Sequence, residues 1–170
     1  LGENYPIFRY KGVEADDIAA YLVSKLWSKH TMWLISSDKD WDLLIKPTVS
    51  RFSYVTRKEI TASNWSEHYE VDQEEYISFK CLTGDTGDNV PGIPGVGPKR
   101  AAALIQTYGS ALDIADAMPL EGKYKYIQST NDFGAKGIMK NYELMDLVTY
   151  CEDAVGNENV VDIDKRIRDE

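Results

Sequence analysis

The sequence predicts a chain in two parts: an α/β portion over residues 1–61, then a helical portion over 62–152 that ends in a charged tail at 153–170. Three observations lead there. Up to about residue 61, short strand-like apolar runs surround a single amphipathic stretch. Beyond it, apolar residues recur mostly at helical spacing. A glycine- and proline-rich stretch around residues 84–98 interrupts the second part and leads into an alanine-rich run.

The elements follow in order. "PIFRYKG" (6–12) alternates apolar and polar residues and predicts a strand. "VEADDIAAYLVSKLWSKH" (13–30) places Ile18, Leu22 and Leu26 on one helix face, with Ala15, Ala19 and Val23 beside them. "TMWLIS" (31–36) predicts a buried strand, "DWDLLI" (40–45) a short helix stopped before Pro47, and "VSRFSYVTRKEIT" (49–61) a pair of strands. Helical signals follow at 63–69, 73–83, 98–108, 110–117, 123–128 and 132–150. The charged residues after 152 predict a loosely held tail.

At 43% hydrophobic residues, with eleven tyrosines and four tryptophans, the chain can build a real core. No apolar run approaches the ~20 residues of a membrane helix, and the N-terminus lacks a signal-peptide layout. Cys81 and Cys151 show no metal-ligand spacing and are expected to be reduced core thiols of an intracellular protein. The opening leucine is not an initiator, so a fragment, a processed product or an earlier segment is expected. A formal charge of −9 argues against a polyanion as partner unless the acids are clustered.

They are clustered. Glu14, Asp16 and Asp17 open the first predicted helix, where acids also complement the helix dipole. Asp38 and Asp40, with Asp42 nearby, follow the strand "MWLIS", where an Asx turn is the ordinary alternative. Asp85 and Asp88 sit in "TGDTGDN", again compatible with turn chemistry. Taken together, seven carboxylates at element ends suit hard divalent cations, Mg²⁺ or Mn²⁺. Pairs of such ions serve phosphoryl transfer, one activating water and the other steadying the leaving oxygen. Setting these seven aside from 28 acids leaves 21 against 19 basic residues, so bound metal would reverse the field that a polyanion meets.

The stretch "GIPGVGPKRAAALI" resembles the hairpin of a helix-hairpin-helix DNA-binding motif. Gly95 and Gly97 permit positive φ and close approach, with Val96 between them. Pro98 suits a first helical turn, whose N–H groups can hold a phosphate, and Lys99 and Arg100 add charge. Such contacts grip a backbone without reading bases. An ordinary loop and helix cap is the alternative.

"GVEADD", "SSDKDWDLLI" and "TGDTGDNVPGIPGVGPKRAA" resemble, in order, the motifs of the 5′-nuclease family, which includes bacteriophage flap endonucleases (5′-3′ exonucleases) and the 5′-nuclease domain of bacterial DNA polymerase I. The resemblance covers most of residues 10–150, and "MPLEGKYKYIQSTN" leans toward the phage branch. It implies a PIN-like strand–helix–strand nuclease core, incomplete at its N-terminus, followed by a helix-hairpin-helix (H3TH) region. It also implies a two-metal site in which Glu14, Asp16, Asp17, Asp38, Asp40, Asp85 and Asp88 match the family's carboxylates. The hairpin would grip duplex DNA, with K⁺ on carbonyls near Val90, Ile93 and Val96. The family's first strand, two further metal-site aspartates and basic arch precede "GVEADD" and are absent here. Thr83 departs from the small or apolar residue commoner at that position.

The leading expectation is therefore a structure-specific 5′ nuclease, in the cytoplasm of a bacterial or phage-infected cell, working on junctions or 5′ flaps of DNA. This chain would be its C-terminal portion, with a separate N-terminal piece as a partner. A non-catalytic duplex-binding module is the alternative. A nuclease for RNA fits the hairpin less well, because A-form helices present a different groove.

Overall fold

The computed structural model describes residues 5–168. The opening "LGEN", on which the expectation of an earlier segment rests, and residues 169–170 lie outside the described residues. The chain divides into two compact units, Leu1–Thr61 with Leu147–Glu170, and Ala62–Asp146.

The first unit is built on helix α1 (Ala15–Leu26), which buries Ile18, Ala20, Tyr21 and Val23. Strand β1 (Met32–Ile35) runs parallel to β2 (Val49–Ser53), with Met32 opposite Val49 and Ile35 opposite Phe52. β2 turns back antiparallel to β3 (Lys58–Ile60), so the expected strand pair over 49–61 forms. The sheet order is β1-β2-β3. "DWDLLI" forms a 3-10 turn, Asp40–Leu44, rather than an α-helix.

Three expectations are corrected in this unit. "PIFRY" makes no ladder among the described residues. Side chains hold it instead: Arg166 Nη2 donates to the Ile7 carbonyl at 2.9 Å, the same guanidinium lies 4.2 Å over the Phe8 ring, and the Tyr10 hydroxyl donates to Asp162 at 2.6 Å. β1 is not buried on both faces. Leu34 enters the core, but Trp33 and Ile35 are 50% and 52% exposed, because an edge strand with one covered face hides only alternate residues. The tail is not loose. Helices α6 (Leu147–Val155) and α7 (Asn157–Arg168) place Cys151, Val155 and Ile163 in the same core as α1, and the Tyr21 hydroxyl donates to Asp164 at 2.8 Å. Val155, Val160, Ile163 and Ile167 recur at near-helical spacing beneath a charged composition.

The second unit packs α2 (Tyr76–Thr83), α3 (Pro98–Tyr108), α4 (Ala111–Asp116) and α5 (Lys125–Met145). The helices expected at 98–108 and 110–117 form there. That expected at 63–69 is a 3-10 turn, Trp65–Glu67, and that at 73–83 begins as another, Gln73–Glu75. The two helices expected at 123–128 and 132–150 form as two helical segments of α5, parted at Gly134, whose backbone (φ 75°, ψ 162°) is not helical; the second ends at Met145, with α6 separate beyond it. Buried Asn141 of α5 donates Nδ2 to the carbonyls of Cys81, at 2.9 Å, and Pro91, at 2.8 Å, so one amide pins the end of α2 and the loop after it. Cys81 and Cys151 are both buried free thiols. Among the described residues, no helix is long and apolar enough to cross a membrane.

Candidate metal and nucleic-acid sites

Five of the seven carboxylates belong to the first unit. Glu14 stands at the N-cap of α1 in extended backbone and makes no side-chain cap; Asp16 and Asp17 occupy the first turn. Asp16 accepts a hydrogen bond from Trp41 Nε1 at 2.7 Å. This bond brings the start of α1 to the 3-10 turn whose first residue is Asp40. Burial, then the charges of Glu14 and Asp16, raises the Asp17 carboxyl above the ordinary carboxylate value.

Asp38 forms the Asx turn that its sequence allowed. Its Oδ1 accepts from the Asp40 N–H at 2.9 Å, and its own N–H donates to Ser36 Oγ at 3.1 Å. Asp42 is spent on structure: Arg51 donates Nε to Oδ1 at 2.5 Å and Nη2 to Oδ2 at 2.8 Å, with Nη1 on the Ser36 carbonyl at 3.0 Å. Both partners are almost wholly buried. This fork fixes both ends of the segment carrying Asp38 and Asp40. Among the described residues, no three acids of this unit bring oxygens within 4.8 Å of one another.

Asp85 and Asp88 belong to the second unit, in a loop closed by reciprocal backbone bonds between Asp85 and Val90 of 2.9 and 2.8 Å. Asn89, the last residue of its turn, takes φ 58°. Carboxylate oxygens of Asp85 and Asp88 lie within 4.8 Å of each other. The loop rests on a glycine contact that sequence reasoning missed. A Cβ on Gly92 would sit 2.0 Å from the Thr83 carbonyl oxygen, and one on Gly84 would sit 2.2 Å from the Gly92 nitrogen. Only glycine fits at either position, and Gly84 also needs its φ of 74°.

Lys80 was missed as well. It is buried on α2, one turn after Tyr76, and its Nζ meets Asp85 Oδ2 at 3.1 Å. A lysine on a buried helix face is the signal that pointed to such a partner. Burial acts upward on Asp85 and is its largest single influence. Lys80, through hydrogen bond and charge, and the Gly87 and Asp88 N–H groups outweigh it, so the carboxyl sits below the ordinary value. Repulsion between neighbouring acids thus adds to burial at Asp17, whereas at Asp85 the shift runs the other way.

The turn before α3 differs in detail from expectation. Gly95 takes positive φ (75°), whereas Gly97 is the extended N-cap of α3 at φ −91°, so it needs no glycine backbone. A Cβ on Gly97 would meet nothing within 4 Å, which leaves close approach from outside as its use. Val96 is buried and pins the turn. Pro98 has no N–H, and Arg100 N–H already bonds the Gly97 carbonyl at 3.0 Å, so fewer helix-start donors point outward than four. Lys99 is exposed. Arg100 Nη1 donates to the Gly95 carbonyl at 2.6 Å, making it a clamp of the turn as well as a charge. An open depression of about 430 Å³ is lined by Gly95, Gly97, Pro98, Lys99, Arg100 and Glu70. Of the carbonyls expected to hold K⁺, Val90 accepts from Asp85 N–H at 2.9 Å and Ile93 from Val96 N–H at 3.0 Å, which leaves each a second lone pair.

Fold and site together describe an α/β chain with carboxylates grouped at element ends and a basic glycine turn, and comparison with known proteins gives that class its family. Residues 71–165 match the family model described as 5′-3′ exonuclease, C-terminal SAM fold, and the chain belongs to that family. The flap endonuclease of Escherichia phage T5 is 44% identical over 167 residues, covering 97% of this chain and 57% of that protein. A solved structure of a T5 5′-exonuclease mutant superimposes with a TM-score of 0.91 at 43% identity, covering 99% of this chain and 70% of that one. Another solved relative is a bacteriophage T5 flap endonuclease pseudo-enzyme-product complex with DNA and metal ions (TM-score 0.90, 43% identity, 99% of this chain and 63% of that one). The chain thus spans 57% of the curated relative's length.

Proposed function

We propose that this chain is the C-terminal portion of a structure-specific 5′ nuclease, a flap endonuclease and 5′-3′ exonuclease that hydrolyses DNA phosphodiesters. The observation that carries the reading is the similarity to the T5 flap endonuclease over 97% of the chain. The residues fit the chemistry. Asp85 and Asp88 place carboxylate oxygens within 4.8 Å, a spacing a single hard cation and its waters can span. By the family resemblance, Glu14, Asp16, Asp17, Asp38 and Asp40 of the first unit would likewise be ligands, the chain holding two Mg²⁺ or Mn²⁺ ions in all. Bound there, the ions would supply an activated water and charge for the leaving oxygen.

The protein's own part is orientation. Trp41 fixes Asp16, the Asp38 turn and the Arg51–Asp42 fork fix the segment through Asp40, and the Gly84–Gly92 contact fixes the loop of Asp85 and Asp88. Lys80 holds positive charge against Asp85. Gly95, Val96, Gly97, Lys99 and Arg100 would grip duplex phosphates, with K⁺ taking second lone pairs of the Val90, Ile93 and Val96 carbonyls. A separate N-terminal nuclease piece, and the cytoplasm of a bacterial or phage-infected cell, belong to the same proposal.

The test is cleavage of an end-labelled 5′-flap duplex in Mg²⁺, by this chain alone and with a candidate N-terminal piece. Metal-dependent release of the flap by either supports the nuclease. DNA binding without cleavage in both cases favours a non-catalytic duplex-binding module, and no binding removes both readings.

A further inference from the structure

The basic and aromatic run "KYKY" at 123–126 has no place in the metal site or in the glycine turn, yet it stands beside that turn. The Arg100 guanidinium, which clamps Gly95, lies 5.5 Å over the Tyr126 ring. Tyr126 in turn stacks on Tyr124, with ring centroids 5.8 Å apart and planes 17° from parallel. Tyr124 is 70% exposed, so this ring stack opens to solvent. Lys123 and Lys125 flank it and are exposed, and no acidic residue occupies the first turn of α5 to offset them. Glu121 is the acid nearest in sequence to the run, and Glu70 is, among the described residues, the one acid lining the depression.

The segment is held firmly. Leu120, just before it, is buried, and its N–H and carbonyl are both bonded by the Asn131 side chain, at 2.7 and 2.9 Å. Tyr124 is the N-cap of α5, and its carbonyl accepts from Ile127 N–H at 3.0 Å. A firmly placed tyrosine that leaves most of its ring in water contributes little to a core. Two exposed lysines next in sequence to a stacked ring pair match a polymer carrying both phosphates and π-faces. Within a duplex those faces are covered by neighbouring bases, and away from its ends only unpaired nucleotides offer them.

We propose that Tyr124, backed by Tyr126 and flanked by Lys123 and Lys125, is a stacking site for an unpaired nucleobase of DNA whose duplex part lies on the Gly95–Arg100 turn. The site would let the chain distinguish a junction from continuous duplex on this face. The inference rests on the DNA-binding reading above.

Two probes test it with the full 170-residue chain: a blunt DNA duplex, and the same duplex with a short single-stranded extension carrying 2-aminopurine. Affinity is read by anisotropy, and stacking by quenching of the 2-aminopurine. Tyr124→Ala is expected to weaken the extended probe about tenfold and abolish quenching, leaving the blunt duplex unchanged. Tyr124→Phe should restore both. Lys99→Ala should weaken both probes alike. The stacking site is overturned if Tyr124→Ala binds the extended probe like the unmodified chain, or weakens both probes equally while circular dichroism shows an intact fold. If the unmodified chain binds neither probe, the DNA reading falls and takes this site with it. Loss of binding confined to Lys99→Ala leaves the DNA reading standing and removes only the stacking site.

Discussion

Removing Asp42 should be among the most damaging single changes in the first unit. Arg51 donates to both Asp42 oxygens and to the Ser36 carbonyl, and the two side chains are 6% and 0% exposed. Asp42→Ala leaves a guanidinium buried without its carboxylate. Breaking a buried pair from one side costs about 3–5 kcal/mol, whereas replacing both partners by apolar groups of similar volume is near neutral. At a urea slope of about 2 kcal/mol per molar, the single variant's unfolding midpoint should fall by roughly 1.5–2.5 M. Asp42→Leu combined with Arg51→Met should recover most of that loss. The assay is urea unfolding of both variants beside the unmodified chain, followed by tryptophan fluorescence. A single variant that loses under about 1 kcal/mol would show that water reaches the charge. A double variant no more stable than the single would show that the contribution is shape rather than charge pairing. Either result refutes the reasoning.

Gly92→Ala should destabilise the second unit by about 1–3 kcal/mol or more, because its Cβ would sit 2.0 Å from a backbone oxygen that cannot rotate away; thermal unfolding checks it. Lys80→Met should raise the Asp85 carboxyl, since the hydrogen bond and charge that lower it most are removed, which a carbon-13 NMR titration of the side chain reads directly. The sign for stability follows. Because folding lowers the Asp85 value, its contribution is full above the ordinary carboxylate value and lost as pH falls through the folded one, and Lys80→Met should flatten that acid limb in pH-dependent unfolding. Lys99→Ala should reduce the salt dependence of duplex binding by a slope of about 0.9, the loss of one phosphate contact, in anisotropy titrations across several salt concentrations.

Much of this was legible because local chemistry and tertiary use agree. The helix at 98–108 has a proline at N1, glycine at each end and an alanine-rich buried face, and it forms as expected. The strand pair at 49–61 follows from β-branched and aromatic alternation. Other elements depended on partners far along the chain. "PIFRY" has strand-like alternation, but Tyr10 and Phe8 find their partners on α7, about 150 residues away, where no pattern in residues 6–12 points. The tail was misjudged because only four apolar residues, hidden among charges, hold it to the core. At the site, acids at element ends could be named from sequence. The residues that hold them could not: Arg51, Trp41, Lys80 and Gly92 act through contacts that sequence spacing does not encode.

Ordinary turn chemistry at these acids is compatible with the metal-binding role proposed for them. Asp38 closes an Asx turn with Oδ1, and Asp85 closes one by accepting from Gly87 N–H while its other oxygen meets Lys80. Each local bond orients a carboxylate and limits its rotation, which is what a pre-arranged cation site requires. Glu14, Asp16 and Asp17 show the cost of that arrangement. The helix dipole favours acids there, but Asp17 is held where burial and two neighbouring charges oppose its ionised form. Keeping three at one helix start, beside a tryptophan that fixes the middle one, is understandable when a positive ion repays the repulsion.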